Sequence, residues 1–334
     1  MVADKTLDNT TTNETDKTVE SPRTRNHKGL GGQAPFLRTR KKTNGTGGAL
    51  TPYLMAFPYL LLILILPISC YNIVIQSFGV VPGIEDKLTI DAFVTIFSSS
   101  RTMNGIALSL FIAVAATFPS AAIGILLTWC IVTLQKETIL GMIIAKIPQL
   151  IPHSVACVII VNLFLPSGVI ARLLMALGFT DASGWFMETL YYPNSIGIII
   201  ELIWKESAFF CMMLLPGMSG ISNSLGEASR SLGASHFKAF LTVTVPNCMP
   251  IVRTCIIIVF VLTFGSYETP YLLGSPITKA LPVLAYAEYG VAGLAEHRPI
   301  SMALNLIMVL IALAFSLAYY LYSVKKEKQL RGAE

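Results

Sequence analysis

The sequence predicts an all-α membrane protein of six transmembrane helices with a polar, helix-forming loop between the fourth and the fifth. Three observations carry that class. Of 334 residues, 54% are apolar and 13% charged, whereas a soluble domain carries roughly 25% charge. Mostly apolar stretches recur that are long enough to cross a hydrocarbon layer of about 30 Å as helices. Basic residues gather in alternate connections between those stretches, the asymmetry that orients membrane helices.

Residues 1–50 are rich in Thr, Asn, Gly and charge, with no sustained apolar pattern, and are expected to form a disordered cytoplasmic tail. Residues 1–15 are polar, so no signal peptide is expected at this start. NTT, NET and NGT match the glycosylation acceptor pattern, but in a cytoplasmic Thr/Asn-rich tail they read as chance.

Residues 51–325 form the membrane domain and 326–334 a short cytoplasmic tail. The expected spans are 53–75, 104–130, 140–162, 194–217, 249–269 and 301–322. Lys146, Pro148, Pro152 and His153 interrupt the third, and Glu201, Lys205 and Glu206 interrupt the fourth. Proline and charge are tolerated inside a span where neighbouring helices or water cover them, so both are kept.

Orientation follows from Lys and Arg. Arg38, Arg40, Lys41 and Lys42 precede the first span; Lys136 and Lys146 flank the second connection. Arg230, Lys238 and Arg253 lie in or beside the fourth connection, and Lys325, Lys326, Lys328 and Arg331 follow the last span. The other side holds Lys87, Arg101, Arg172, Lys279 and Arg298. Both termini are therefore expected in the cytoplasm, with the protein multi-pass in the cell inner (plasma) membrane.

The outward connections are long. GVVPGIEDKLTIDAFVTIFSSSRTM, LFLPSGVIARLLMALGFTDASGWFMETL and YLLGSPITKALPVLAYAEYGVAGLAEHR include short amphipathic patterns, with Phe93 and Phe97 on one helical face. They suit either docking of an external partner or a cover over the bundle. Of six Cys, five (Cys70, Cys130, Cys157, Cys211, Cys255) lie in or beside spans with no paired spacing. They read as packed small hydrophobes rather than a disulfide framework. His153 and His236 have no ligand companions in the sequence, so no metal site is expected.

GEASRSLGASHFKAFLTVTVPN, residues 226–247, faces the cytoplasm in this topology. Glu227 suits the positive end of a first short helix. Gly233 permits a bend or a close backbone approach. A second helix can start after Ser235, with Phe237 and Phe240 on one side, until Pro246 removes a backbone donor and marks the turn into the fifth span. An apolar helical surface beside the bilayer suits a partner.

This segment resembles the cytoplasmic loop signature of permease subunits of binding-protein-dependent ABC importers: Glu-Ala-Ala, three residues, Gly, nine residues, Ile, any residue, Leu-Pro. Glu227, Ala228, Gly233 and Pro246 match, Ser229 replaces the second Ala, and Val243 and Val245 stand for Ile and Leu. IIELIWKESAFFCMMLLPGMSGI is similar to the family's fourth span, and TFGSYETPYLLGSP to the following region in permeases of the spermidine/putrescine type. The resemblance covers residues 50–325.

It implies that Glu227, Ala228, Gly233, Phe237 and Pro246 dock in a groove of a cytoplasmic ATPase dimer and couple ATP closure to the transport cycle. It also implies a second six-span permease subunit, or a second copy of this chain, and an external solute-binding protein. No nucleic-acid partner is expected. The chain has no GxxxxGK[ST] phosphate loop, so it is expected to be non-catalytic and without a cofactor of its own, the ATP being bound by the ATPase.

Lys205 and Glu206 suit either pairing inside the bundle or lining of the translocation pathway. Phe264, Tyr267 and Glu268 at the outer end of the fifth span are further pathway candidates. A carboxylate beside aromatics attracts an ammonium group, though Glu268 equally suits a helix end in water. The resemblance makes a polyamine the first expected solute, with sugar, phosphonate or another small solute as the alternative. A secondary transporter or channel would require paired broken helices in two related halves, and no such internal repeat is visible. A membrane enzyme would require a convergent nucleophile, acid–base pair or metal cluster, and the sequence offers none.

Overall fold

The computed structural model describes residues 51–83, 87–133, 139–179, 195–222, 228–229, 231–291 and 294–331. The expected disordered tail, Glu227 and the end of the loop before residue 195 lie outside the described residues. The chain divides into two compact units, Met1–Tyr59 and Leu60–Glu334. In the first, the described residues are the start of α1, Thr51–Ser77. This helix is mostly apolar and its large side chains from Tyr53 to Tyr71 are exposed, as suits a helix in contact with lipid or another membrane helix.

The second unit continues with α2 (Asp91–Ser98), α3 (Ser100–Thr133), α4 (Ile139–Leu150), α5 (His153–Phe164), α6 (Val169–Ala176) and α7 (Ile196–Ser222). The short helix α8 (His236–Ala239) runs through a π-helical turn, Phe240–Thr244, into α9 (Val245–Phe264). The last helices are α10 (Glu268–Leu273), α11 (Leu281–Tyr289) and α12 (Leu294–Arg331). The described residues of this unit are thus almost wholly helical, which is how a bilayer-embedded backbone satisfies its own polar groups.

α3 and α7 form the closest helix pair. An added Cβ at Gly124 would lie 2.4 Å from the Phe210 Cβ and 2.8 Å from the Ser207 carbonyl oxygen, so the two backbones meet where α3 carries no side chain. Pro119 lies inside α3, and beside it the Ser120 hydroxyl donates to the Ala116 carbonyl at 2.6 Å. One apolar core joins Phe210, Leu214 and Met218 of α7 to Val252, Cys255, Ile256 and Val259 of α9. Another joins Phe260 and Phe264 to Leu281 and Leu284 of α11 and Leu304 of α12. α2 adds Ala92 and Ile96 to this second core; Phe93 lies against Phe78 with ring centroids 5.4 Å apart, while Phe97 is exposed.

Among the described residues five helical stretches are long and apolar enough to cross a membrane: Tyr53–Ser77, Ser100–Val132, His153–Ala176, His236–Phe264 and Glu296–Lys326. The expectation of six differs at two places. The third span, placed at 140–162, is interrupted between Leu150 and His153, where Pro152 cannot continue the preceding helix. Its apolar stretch, His153–Ala176, takes in α5 and the short amphipathic α6, with a non-helical break at residues 165–168 between them. The fourth expected span corresponds to α7, 27 residues long. It falls outside the five because Glu201, Lys205 and Glu206 put three charges within it.

The fifth stretch of the expectation differs as well. Placed at 249–269, it begins at His236 and ends at Phe264. Pro246 does not mark a turn. It sits in the first turn of α9, and the π-helical turn ahead of it accommodates the missing donor: the Val245 N–H reaches back to the Phe240 carbonyl. The Asn247 side-chain amide donates to the Val243 carbonyl at 2.8 Å. At the far end, α12 continues to Arg331, past the position expected for the start of the tail.

Candidate functional site

The segment from Ala228 to α9 is a helix end, a left-handed turn and a new helix start. Ala228 and Ser229 are helical, as is Ser231, and Gly233 has φ +89°. The Ala234 N–H donates to the Ser229 carbonyl at 3.2 Å, the six-to-one bond that closes a helix with glycine in the left-handed position. Among the described residues nothing lies within 4 Å of a Cβ built on Gly233. The glycine therefore serves the bend and not a close approach within this chain. Ser235 caps the next helix by accepting from the Lys238 N–H at 3.3 Å.

α8 is anchored by aromatic rings. Phe237 stands edge-on to Trp129 of α3 with centroids 5.3 Å apart, and Phe240 lies 5.7 Å from the same ring. Phe240 is buried, whereas Phe237 keeps half its surface exposed. These ring contacts hold α8 and the π-helical turn after it against α3. Of the expected coupling residues, Ala228 and Pro246 are exposed, Gly233 and Phe237 are placed as above, and Glu227 lies outside the described residues.

A second polar constellation is buried. Glu201 is 0%, Lys205 4% and Glu206 6% exposed, a rare depth for charged side chains in a membrane protein. One Glu201 oxygen faces the His153 Nδ1 at 3.0 Å, and the other accepts from the Thr269 hydroxyl at 3.2 Å. Lys205, one turn on, donates through Nζ to the Ile151 carbonyl. The Gln149 amide donates to the Lys205 carbonyl at 2.7 Å. α7 is thereby stitched to the interruption between α4 and α5 and to the start of α10. His153, Glu201 and Thr269 were not anticipated as site residues; their partners are 48 and 68 residues apart in the chain.

The remaining pathway candidates do not join this cluster. Phe264 is buried against Phe260, with centroids 5.9 Å apart, and belongs to the core shared with α11 and α12. Tyr267 stacks on Tyr271 at 5.1 Å and lies 4.8 Å from Tyr286. Glu268 is exposed at the start of α10. These three tyrosines form an aromatic group just beyond the end of α9, and Tyr271 and Tyr286 were not anticipated.

Long apolar helices around a buried polar cluster define a multi-pass membrane protein. The chain belongs to the family of binding-protein-dependent transport system inner membrane components, whose pattern matches residues 92–327. It is a permease subunit of an ABC importer, a non-catalytic role, and the self-contained secondary transporter or channel is set aside.

Individual relatives agree. The sulfate transport system permease protein of a Synechocystis strain is 25% identical over 269 residues, 78% of this chain and 86% of its own length. The trehalose/maltose transport system permease protein of Thermococcus litoralis is 25% identical over 63% of this chain and 72% of its own. The sulfoquinovosyl glycerol permease protein of Agrobacterium fabrum is 30% identical over 42% of this chain and 46% of its own. In fold, the chain is similar to a crystal structure of a bacterial ABC transporter involved in alginate import, with TM-score 0.69 at 20% identity over 82% of this chain and 95% of that one.

Proposed function

We propose that the chain forms one half of the translocation pathway of an ATP-driven sugar importer. It works in the inner membrane with a cytoplasmic ATPase dimer, a second permease subunit or second copy, and an external solute-binding protein. Family membership carries the general reading. The solute rests on relatives named for trehalose/maltose, sulfoquinovosyl glycerol and diacetylchitobiose, together with the Tyr267, Tyr271 and Tyr286 group. Tyrosine offers an apolar ring face with a polar edge, which suits the C–H faces and hydroxyls of a sugar ring. The spermidine/putrescine subtype gives way to the sugar alternative, since the named relatives transport sugars or sulfate.

Sulfate is the second reading, because the relative with the broadest overlap above is a sulfate permease component. A sulfate dianion is served by converging N–H donors, whereas the group beyond α9 offers aromatic rings and the exposed Glu268 carboxylate.

Coupling is assigned to Glu227, Ala228, Gly233, Phe237 and Pro246, with α8 as the rigid piece that enters the ATPase groove. α7 is the sixth crossing helix, and Lys205 and Glu206 act inside the bundle. The test is a thermal-shift screen of the partner solute-binding protein with trehalose, maltose, sulfate and spermidine, followed by vesicle uptake of whichever solute stabilises it. Stabilisation by spermidine alone would refute the sugar reading. ATP-independent uptake would refute the importer reading itself.

A further inference from the structure

Packing alone does not require the carboxylate at position 201. A buried ion pair is often matched or bettered by apolar residues of similar volume, and in a membrane interior an ionisable side chain is costly. Glu201 divides its two oxygens between elements that each follow an interruption in the helical path. Oε1 faces His153 Nδ1, the first residue of α5. Oε2 accepts from Thr269, the second residue of α10. Between the end of α9 at Phe264 and Glu268 the chain leaves the helix at Gly265–Tyr267. Lys205 and Gln149 tie the same face of α7 to Ile151 and back again.

We propose that Glu201 is a positioning residue of the transport cycle. Its carboxylate is a latch through which α7 holds α5 and α10 in the arrangement of this structure, and the cycle proceeds when one of its two arms lets go. The inference rests on the importer reading of the chain. Helix interruptions are the places where backbone direction changes at least cost, and a side chain that bridges two of them couples their movements. The Thr269 arm is a single hydroxyl donating to the carboxylate, and it is the arm that can exchange while the His153 contact holds α5.

A latch that stabilises one of two states makes a prediction a packing residue does not: weakening it populates the other state. The experiment uses the assembled complex of this chain with its ATPase and permease partners, and ATP alone as probe, without the binding protein. Thr269→Val removes the hydroxyl at nearly constant volume, and Thr269→Ser keeps it. Removing one buried hydrogen bond is expected to raise resting ATP hydrolysis per assembled complex about fivefold to tenfold for Thr269→Val. Thr269→Ser should stay within about twofold of wild type on the same scale.

Glu201→Gln replaces one accepting oxygen with a donating amide nitrogen, so one of the two arms must re-form with its direction reversed, and its hydrolysis should fall between Thr269→Ser and Thr269→Val; Glu201→Leu should exceed Thr269→Val if it assembles, and the Thr269 pair decides the matter if it does not. Unchanged hydrolysis per complex in Thr269→Val, or a change shared equally by Thr269→Ser, would overturn the latch. A loss of assembled complex with normal hydrolysis in what remains would overturn it in favour of packing. Absence of ATP hydrolysis in the wild-type complex even after the solute-loaded binding protein is added, by contrast, would fail the importer reading and not the latch.

Discussion

Replacing Gly233 isolates one physical quantity, the cost of a left-handed backbone. Its φ is +89°, a conformation open to glycine, tolerated by asparagine and unfavourable for a branched side chain. A Cβ at this position meets nothing within 4 Å among the described residues, so the cost of a substitution follows from the local backbone strain. Holding a non-glycine residue there costs about 1–3 kcal/mol. At about 2 kcal/mol the population keeping the native bend falls roughly thirtyfold. The Ala234–Ser229 bond that closes the preceding turn would be lost with it, and α8 would enter its groove in a shifted direction.

The expected order is Gly233 and Gly233→Asn close together, Gly233→Ala lower, and Gly233→Val lowest. The measurement is solute-stimulated ATP hydrolysis and vesicle uptake by the whole complex, normalised to assembled permease. Gly233 lies outside all five apolar stretches, so membrane levels should stay near normal in the series, and Thr10→Ala in the N-terminal segment should leave both activities unchanged. Wild-type activity in Gly233→Val would refute the requirement for the bend. Equal losses in Asn and Val would refute the backbone argument and point to contact between position 233 and the partner surface.

Two other substitutions probe the frame that carries this segment. Gly124→Leu places side-chain atoms where a Cβ already lies 2.4 Å from the Phe210 Cβ; overpacking of this kind costs about 1–3 kcal/mol or more. Assembled permease should drop severalfold in fluorescence-detected size exclusion. Trp129→Ala removes the ring that contacts both Phe237 and Phe240. A loss of about 1 kcal/mol of aromatic contact should weaken ATPase retention roughly fivefold in pull-down titrations while leaving insertion intact.

How much of this could be read from the chain depends on the range of the cause. α3, α9 and α12 announce themselves because lipid-facing helices are apolar on most sides, and Gly233 because a helix end needs a residue that accepts positive φ. Pro246 misleads, since a proline in a first turn is compatible with an uninterrupted helix when a π-helical turn precedes it. The break at Ile151 and Pro152 was visible as Pro152 but not as a division of one span. Glu201 was the least legible: its carboxylate is satisfied by His153 and Thr269, which local periodicity cannot bring together. Hydropathy recorded the three charges of α7 as exposed cost, whereas in the fold they are buried against neighbouring elements.

That last difference bears on topology through parity. We propose that α7 crosses the membrane although its composition excludes it from the five apolar stretches. At about 1.5 Å per residue its 27 residues reach roughly 40 Å, and its charges face protein and not lipid, as intramembrane charges do. If α7 crosses, the crossings are even in number, and Arg38, Arg40, Lys41 and Lys42 share a side with Lys325, Lys326 and Lys328, which satisfies the positive-inside rule. If it does not, the basic C-terminal end is on the opposite side from the basic N-terminal segment, and the Ser235 turn crosses over with it. Single cysteines at Ser235, Thr278 and Gly332, in a chain lacking its six native cysteines, separate the cases. With α7 across, Ser235→Cys and Gly332→Cys are protected in sealed cells from an impermeant thiol reagent and Thr278→Cys reacts. Reaction at 235 and 332 with protection at 278 would return α7 to a buried helix that stops short of crossing.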